Sequence, residues 1–317
     1  MRPTPSIILF TVTSGAGFGL LFLLGAGLAT GVVPSGHAAH ADDALPGTIA
    51  ALIAGALLAG AGLVASLGHL GKPLRAWRAM SQWRTSWLSR EGVASITTFA
   101  PLVVLIALLP SNAATLPVRG VALLLSLCSV VTVTCTAGIY ACLKPIRAWH
   151  DPHVLPGYLL FGAYSGALWL LALDAGKPWL VARWPVAVAI ACLLALASAL
   201  LKWSYWRGLG RTPARPSTGV ATGLAARGEV SSLEVPHTEE NYLLHEMGFV
   251  VARRHRRRLR AIAVILVLVP IAFLAGSVTG PKLLAWPALA AGMSGIFIER
   301  WLFFADAKHA VTAYYGR

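Results

Sequence analysis

Charged residues are scarce in this chain. Asp, Glu, Lys and Arg make up 12% of its 317 residues, and acidic residues are scarcer still, with 12 Asp and Glu against 26 Lys and Arg. A soluble domain usually carries about 25% charged residues, so the composition excludes an ordinary soluble protein. Hydrophobic residues make up 57% of the chain, and the mean hydropathy is +0.70. These values predict one membrane domain over residues 1–317.

The chain also lacks the short motifs that bind cofactors or metals. Its four cysteines form no C-x-x-C pair, and no C-x-x-C-H, phosphate-loop or G-x-G-x-x-G pattern is present. Cys128, Cys135 and Cys142 recur every seven residues and so share one helix face, where we interpret them as small packing residues. None of the nine histidines lies in the middle of an apolar segment, where a membrane haem would need its ligands. We therefore predict no metal, haem or iron–sulfur cluster in this chain.

Eight long apolar segments fill most of the sequence. About 20 apolar residues are enough to cross the hydrocarbon core as a helix. Gly and Pro interrupt several of the segments, which neighbouring helices in a bundle tolerate. We therefore predict an all-α integral membrane protein, a bundle of eight transmembrane helices. The expected spans are 7–33, 46–68, 92–110, 120–143, 155–173, 184–201, 261–280 and 283–304.

The basic residues are distributed unevenly between the two ends of these spans. If the N terminus, the even-to-odd connections and the C terminus share one side, that side holds 22 Lys and Arg and the other holds 4. We call the richer side the basic face. Because positive residues favour the cytoplasm, we predict that this face and both termini are cytoplasmic. Basic residues at span ends indicate contact with lipid headgroups, and no nucleic-acid partner is expected.

The first span and the longest connection need separate interpretation. The first span is longer than the apolar core of a signal peptide, so we expect it to be retained as a helix. The connection 202–260 begins with a Pro-, Gly- and Ser-rich stretch that is typical of a flexible loop. Helical spacing then follows Thr238, a residue type that caps helices, and ends in the basic run Arg253–Arg258. We interpret that run as an anchor for anionic lipid, with docking of a partner subunit as the alternative.

The densest polar segment is Ser66–Gly92, between the second and third spans. His69 lies at the end of the second span and Glu91 at the start of the third. Helices joined by a short loop are usually neighbours, so we expect the two side chains to face one pocket. An imidazole and a carboxylate can remove protons from a hydroxyl group, and Lys72 and Arg75 could orient an oxygen of the same ligand. The alternative is that His69 and Glu91 cap helix ends and pair with nearby arginines.

Further charged residues stand at the end of the last span. Glu299 and Arg300 are adjacent, so on a helix they are expected to point to different sides. We interpret them as interfacial charges, and the alternative is that Glu299 or His309 lines the same pocket as His69. No ionisable residue is expected in the middle of a span, which counts against a transporter.

A short motif occurs twice. The run KPLRAW, Lys72–Trp77, recurs as KPIRAW, Lys144–Trp149, and each copy follows an even-numbered span. The repetition is consistent with a duplicated pair of helices. It is equally consistent with a shared preference for Lys, Arg and Trp at the membrane interface.

Two runs of the polar segment are specific enough to compare with known families. They are HLGKPLRA, His69–Ala76, and SWLSRE, Ser86–Glu91, and weaker support comes from Ile139–Tyr140, Ala148–His150 and Glu299–Phe304. Together they resemble the membrane anchor subunits of the dimethyl sulfoxide (DMSO) reductase family. The similarity covers the whole chain, and the Arg-rich connection 202–260 is where the sequence departs most from it.

The resemblance implies a three-part complex of anaerobic electron transport in a bacterial inner membrane. The anchor is not the catalytic subunit but binds menaquinol or ubiquinol. Its partners are a subunit with four iron–sulfur clusters and a molybdopterin catalytic subunit. The family implicates the residues that match His69 and Glu91 in quinol oxidation, so these two are the expected catalytic residues of the anchor. The expected quinone-binding set adds Lys72, Arg75, Trp87 and Arg90 of the same segment.

Three alternatives remain beside this interpretation. Anchors similar to this one also serve sulfite-oxidising complexes, in which electrons run towards quinone. Eight spans would also permit a membrane transporter. The third alternative is a structural tether with no bound quinone.

Overall fold

In a computed structural model, the chain is a bundle of long helices. The structure describes residues 4–34, 41–68, 72–111, 115–211 and 251–307, with scattered positions between 219 and 230. Within these ranges eight helices are long and apolar enough to cross a membrane, and no strand is found, which confirms the predicted fold class. The helices are α1 (Pro5–Thr30), α2 (Ala41–Leu67), α3 (Trp87–Leu108), α4 (Thr115–Ala141), α5 (Val154–Leu173), α6 (Trp184–Arg211), α7 (Val251–Thr279) and α8 (Ala285–Ala305).

The connection expected over 202–260 is shorter at both ends than predicted, because the flanking helices are longer. α6 does not end at residue 201 but continues to Arg211, and α7 begins at Val251, ten residues before the expected start. Lys202 is therefore a helix residue, and the run Arg253–Arg258 belongs to the first turns of α7. The helix predicted after Thr238 lies outside the described residues.

α1 lies at the centre of the first half of the bundle. It packs against α2, α4 and α5, and small residues allow the close approach. A side chain at Gly17 would collide with the backbone of Ala59 on α2, and one at Gly19 would collide with the backbone of Gly162 on α5. The α1–α5 contact joins the two halves of the molecule.

α5 is the central helix of the second half, as α1 is of the first. It packs against α6 and α8, and α7 lies beside both of these helices. In the first half, α3 packs along α4, whereas α2 and α3 meet only over a short stretch although they are consecutive. So short a contact gives little support to a pocket between α2 and α3.

The segment between α2 and α3 forms a 3₁₀ helix, Pro73–Gln82, which carries the first copy of the repeated motif. Trp77 of this copy is 64% exposed, whereas Trp149 of the second copy is 6% exposed. The second copy lies in the turn between α4 and α5, where the Trp149 Nε1 donates a hydrogen bond to the carbonyl of Phe303 at 3.0 Å. The two copies therefore have different structures, and the repeated motif has no common structural role in them.

Candidate functional site

Glu91 is a buried carboxylate near the start of α3, at the basic face. The residue is 5% exposed, and its Oε1 accepts a hydrogen bond from the Thr136 hydroxyl of α4. Deeper in the bundle, the hydroxyl oxygens of Thr98 and Thr132 are 3.0 Å apart. Polar groups buried in a membrane are costly unless they find partners. This polar seam therefore aligns α3 with α4 and holds the carboxylate in one orientation.

Arg90, the residue next to Glu91, points elsewhere. Its Nε donates to the carbonyl of Trp83 at 3.1 Å, and its Nη2 donates to the carbonyl of Arg84 at 2.7 Å. The guanidinium carbon lies 4.6 Å from the centroid of the Trp87 ring, within cation–π range. The side chain of Arg90 is thus occupied by the turn before α3, which does not support the alternative that it pairs with Glu91.

The other predicted site residues are not gathered around the carboxylate. Lys72 and Arg75 are exposed at the start of the 3₁₀ helix, and in the part of the chain that the structure describes neither makes a hydrogen bond or ion pair with Glu91. His69 lies outside the described residues. Glu91, Trp87 and Arg90 thus share the first turns of α3, and the roles of all six predicted site residues stay predictions.

Three charged side chains that the sequence did not group form a buried cluster between α6 and α8. The Lys202 Nζ is 2.5 Å from Glu299 Oε1, and the Arg300 Nε is 3.2 Å from Glu299 Oε2. Lys202 is 6% exposed, and Glu299 and Arg300 are each 2% exposed. The expectation that Glu299 and Arg300 are interfacial charges on different sides of the helix is therefore wrong. So is the placement of Lys202 in an extramembrane connection.

Two stacked tyrosines connect this ionic cluster with the carboxylate. The rings of Tyr140 on α4 and Tyr158 on α5 stack with centroids 5.8 Å apart. The guanidinium carbon of Arg300 lies 3.9 Å from the centroid of the Tyr158 ring. Along α4, Tyr140 is one helical turn from Thr136, the partner of Glu91. Residues of α3, α4, α5, α6 and α8 thus form one buried polar and aromatic layer towards the basic face.

An apolar cavity of about 380 Å³ lies next to this layer, between α1, α4 and α5. Val133, in its wall, is one helical turn from Thr136 along α4, and Leu159, also in the wall, directly follows Tyr158 on α5. The full lining is Phe18, Gly19, Phe22, Ser129, Val130, Val133, Pro156, Leu159, Leu160, Gly162 and Ala163.

Sequence reasoning missed Thr136, Lys202 and Tyr158 as members of this layer. A signal for Lys202 was present, because the aromatic residues of the run Trp203–Trp206 extend the apolar helix past the lysine. Thr136 and Tyr158 had no such signal. Their place in the layer depends on which helices they face, and hydropathy does not reveal this.

The comparisons with known proteins agree with this membrane architecture. The family model described as DMSO reductase anchor subunit (DmsC) matches residues 2–305. A sulfite dehydrogenase subunit of Allochromatium vinosum is 31% identical over 338 residues, in an alignment that covers 99% of each chain. No solved structure matches the chain. Both similarities extend from before α1 to the end of α8, so they concern the whole membrane domain rather than one motif.

Proposed function

This chain belongs to the family of DMSO reductase anchor subunits, and from that premise we propose that it binds a quinone and exchanges electrons with an iron–sulfur subunit. As an anchor of a DMSO reductase-family complex, it is a multi-pass membrane protein with a catalytic oxidoreductase partner. The proposed partners are a four-cluster iron–sulfur subunit and a molybdopterin subunit. The observation that carries the proposal is Glu91, a membrane-buried carboxylate bonded to a hydroxyl of another helix.

The proposed chemistry uses Glu91 as a proton acceptor. Oxidation of one quinol, either menaquinol or ubiquinol, releases two electrons to the partner subunit and two protons. The Glu91 carboxylate takes one proton from a quinol hydroxyl and releases it towards the basic face. The Thr136 hydroxyl donates to the ionised carboxylate and so keeps it aimed at the ligand. We propose His69, on the family resemblance, as acceptor of the second proton.

The neighbouring side chains suit the quinone head. Trp87 and Arg90 lie on the same first turns of α3 as Glu91, where the Arg90 guanidinium covers the Trp87 ring at 4.6 Å from its centroid and keeps a positive charge beside the proposed site of the head. Lys72 and Arg75 are exposed on the preceding 3₁₀ helix, where they can contact an oxygen of a quinone that enters from the membrane surface. These four residues bind and orient, and Glu91 and His69 move protons.

The test is Glu91→Gln in membranes that contain the whole complex. The substitution keeps the size of the side chain and removes the base, so quinol-driven turnover should fall by about 100-fold, in line with the loss of a general base. The amount of assembled complex should not change, and a quinol-analogue inhibitor should bind more weakly. Turnover with an artificial dye that feeds electrons directly to the catalytic subunits should survive. Wild-type quinol turnover in the assembled variant would refute the site.

Thr136→Val extends this test to the hydrogen bond. Removing one hydrogen bond to a charged group costs about 1.5–3 kcal/mol, which predicts a loss of quinol-driven turnover of about tenfold or more. Thr97→Val is the matched control, because Thr97 is exposed on α3 and its hydroxyl donates to the carbonyl of Val93 in its own helix at 2.8 Å. Equal losses in the two variants would remove Thr136 from the site.

A second candidate function reverses the electron flow. The relative that is 31% identical is a subunit of a sulfite dehydrogenase, so we propose as the alternative that this complex oxidises sulfite and reduces quinone. The same residues would then deliver protons to the quinone oxygens. Reduction of an added quinone by membranes supplied with sulfite favours this direction, and quinol oxidation by DMSO favours the first.

We further propose a bacterial inner-membrane location with both termini in the cytoplasm. The basis is the excess of Lys and Arg on the basic face, 22 against 4, and it persists when the buried Lys202 and Arg300 are left out of the count. Reporter fusions after Arg317 and within 36–44 should report opposite sides of the membrane. A periplasmic signal from the Arg317 fusion would place Glu91 at the periplasmic face instead.

A further inference from the structure

We propose that the apolar cavity between α1, α4 and α5 binds the isoprenoid tail of the quinone whose head lies at Glu91. This inference rests on the proposed function and assigns a second part of the ligand to a second part of the chain. The cavity, of about 380 Å³, lies in the membrane-spanning part of α1, α4 and α5.

The chemistry of the wall selects a hydrocarbon. Phe18 and Phe22 of α1, Val133 of α4 and Leu160 of α5 supply most of the large side chains. The wall has one hydroxyl, that of Ser129, and it already donates to the carbonyl of Leu125 at 2.8 Å. A polar headgroup in this cavity would lose its hydrogen bonds to water without replacement, which costs several kcal/mol. A hydrocarbon chain loses nothing.

The cavity lies beside the point where α1 crosses α5. Gly19 and Gly162 are in backbone contact there, and Ala163 follows at the next position. Phe18 and Leu160 line the cavity next to this crossing. The volume also fits. An apolar cavity of about 150 Å³ accepts benzene, so this one accepts roughly 15 carbon atoms, or about three isoprene units.

The position favours a quinone tail over the acyl chain of a phospholipid. At about 1.5 Å of rise per residue, Val133 and Ser129 lie roughly 4.5 and 10.5 Å along α4 from Thr136, which bonds to Glu91. Tyr158, in the polar and aromatic layer, is followed on α5 by Leu159 in the cavity wall. A molecule with its head at Glu91 and a directly attached apolar chain matches this continuity. A phospholipid has its charged headgroup at the membrane surface and no group that needs Glu91.

The test fills the cavity and varies the tail. Ala163→Phe places a ring in the cavity, and the complex is assayed with two quinols that share one head, one with a ten-carbon tail and one without a tail. The KM for the tailed quinol should rise about tenfold or more, since it loses the burial of several methylene groups. The KM for the tail-less quinol and both kcat values should stay within about twofold of the wild-type values.

Two further variants keep the result interpretable. Ala100→Phe is the matched control, because Ala100 is exposed on α3 and away from the cavity wall. Val130→Phe fills the cavity from α4 and replaces Ala163→Phe if that variant lowers the amount of assembled complex. Neither kinetic constant should change in Ala100→Phe, and Val130→Phe should reproduce the selective rise in KM.

Three outcomes separate the ideas. If Ala163→Phe leaves the ratio of the KM values for the tailed and tail-less quinols unchanged, the tail site is overturned. If turnover is still lost in Glu91→Gln, the proposed function remains intact. Unchanged turnover in Glu91→Gln would overturn the proposed function itself. Loss of a co-purified phospholipid from Ala163→Phe, with an unchanged preference for the tailed quinol, would assign the cavity to an acyl chain and overturn the inference.

Discussion

Replacing Glu299 by Gln tests whether the buried ionic cluster holds α6 to α8. In the native protein, Glu299 lies between two cations, with Lys202 Nζ at 2.5 Å and Arg300 Nε at 3.2 Å, and all three residues are at most 6% exposed. Glu299→Gln removes the carboxylate from between two buried positive charges. Breaking a buried ion pair in this way costs about 3–5 kcal/mol, a large fraction of the roughly 5–15 kcal/mol that stabilises a typical protein.

Because each variant leaves a different number of unpaired charges, the ranking of their stabilities is a sharper test than the stability of any one variant. Lys202→Met leaves the Glu299–Arg300 pair neutral, so it should cost less than Glu299→Gln. The double variant leaves one unpaired charge, Arg300, which still lies 3.9 Å from the centroid of the Tyr158 ring. We therefore expect the double variant to be more stable than Glu299→Gln alone by about 0.5–3 kcal/mol.

The assay is thermal unfolding of the purified complex in detergent, together with the amount of complex in the membrane. Glu299→Gln should have the lowest midpoint, and adding Lys202→Met should raise it. Wild-type stability of Glu299→Gln, or a further loss of stability when Lys202→Met is added, would refute a stabilising role for the ionic cluster.

Two other predictions follow from the packing. Gly19→Ala should lower the amount of folded protein because its Cβ would collide with the backbone of Gly162, whereas Gly15→Ala, with no atom within 4 Å of its Cβ, should be neutral; equal yields would contradict the α1–α5 contact. Burial raises the pKa of Asp174 to about 6, with Lys177 partly opposing it, from an ordinary value of 3.8. Between these values the folded state binds more protons, so stability falls as the pH rises. Asp174→Asn should therefore gain more thermal stability over wild type at pH 8 than at pH 4, and an equal gain at both pH values would count against this carboxyl.

The architecture of the membrane domain could be predicted from the sequence because it depends on quantities that are local in the chain. A helix that crosses the bilayer must satisfy its own backbone hydrogen bonds over about 20 apolar residues. Hydropathy therefore located all eight helices, and errors arose mainly at their ends, as at Lys202. Glu91 could also be identified as a candidate site residue, since a carboxylate at the start of a span is costly and the run Ser86–Glu91 resembles a known family; its role stays a prediction.

Only the tertiary structure decided which side chains meet. Hydropathy does not report the rotation of each helix about its axis, and in a membrane this rotation is set largely by small residues at helix contacts, such as Gly17 and Gly19 of α1. α3 therefore packs along α4 and not along α2 for most of its length, which gives Glu91 the hydroxyl of Thr136 as its partner. The ionic cluster of α6 and α8 depends in the same way on contacts between residues about 100 positions apart in the sequence, which no local pattern records.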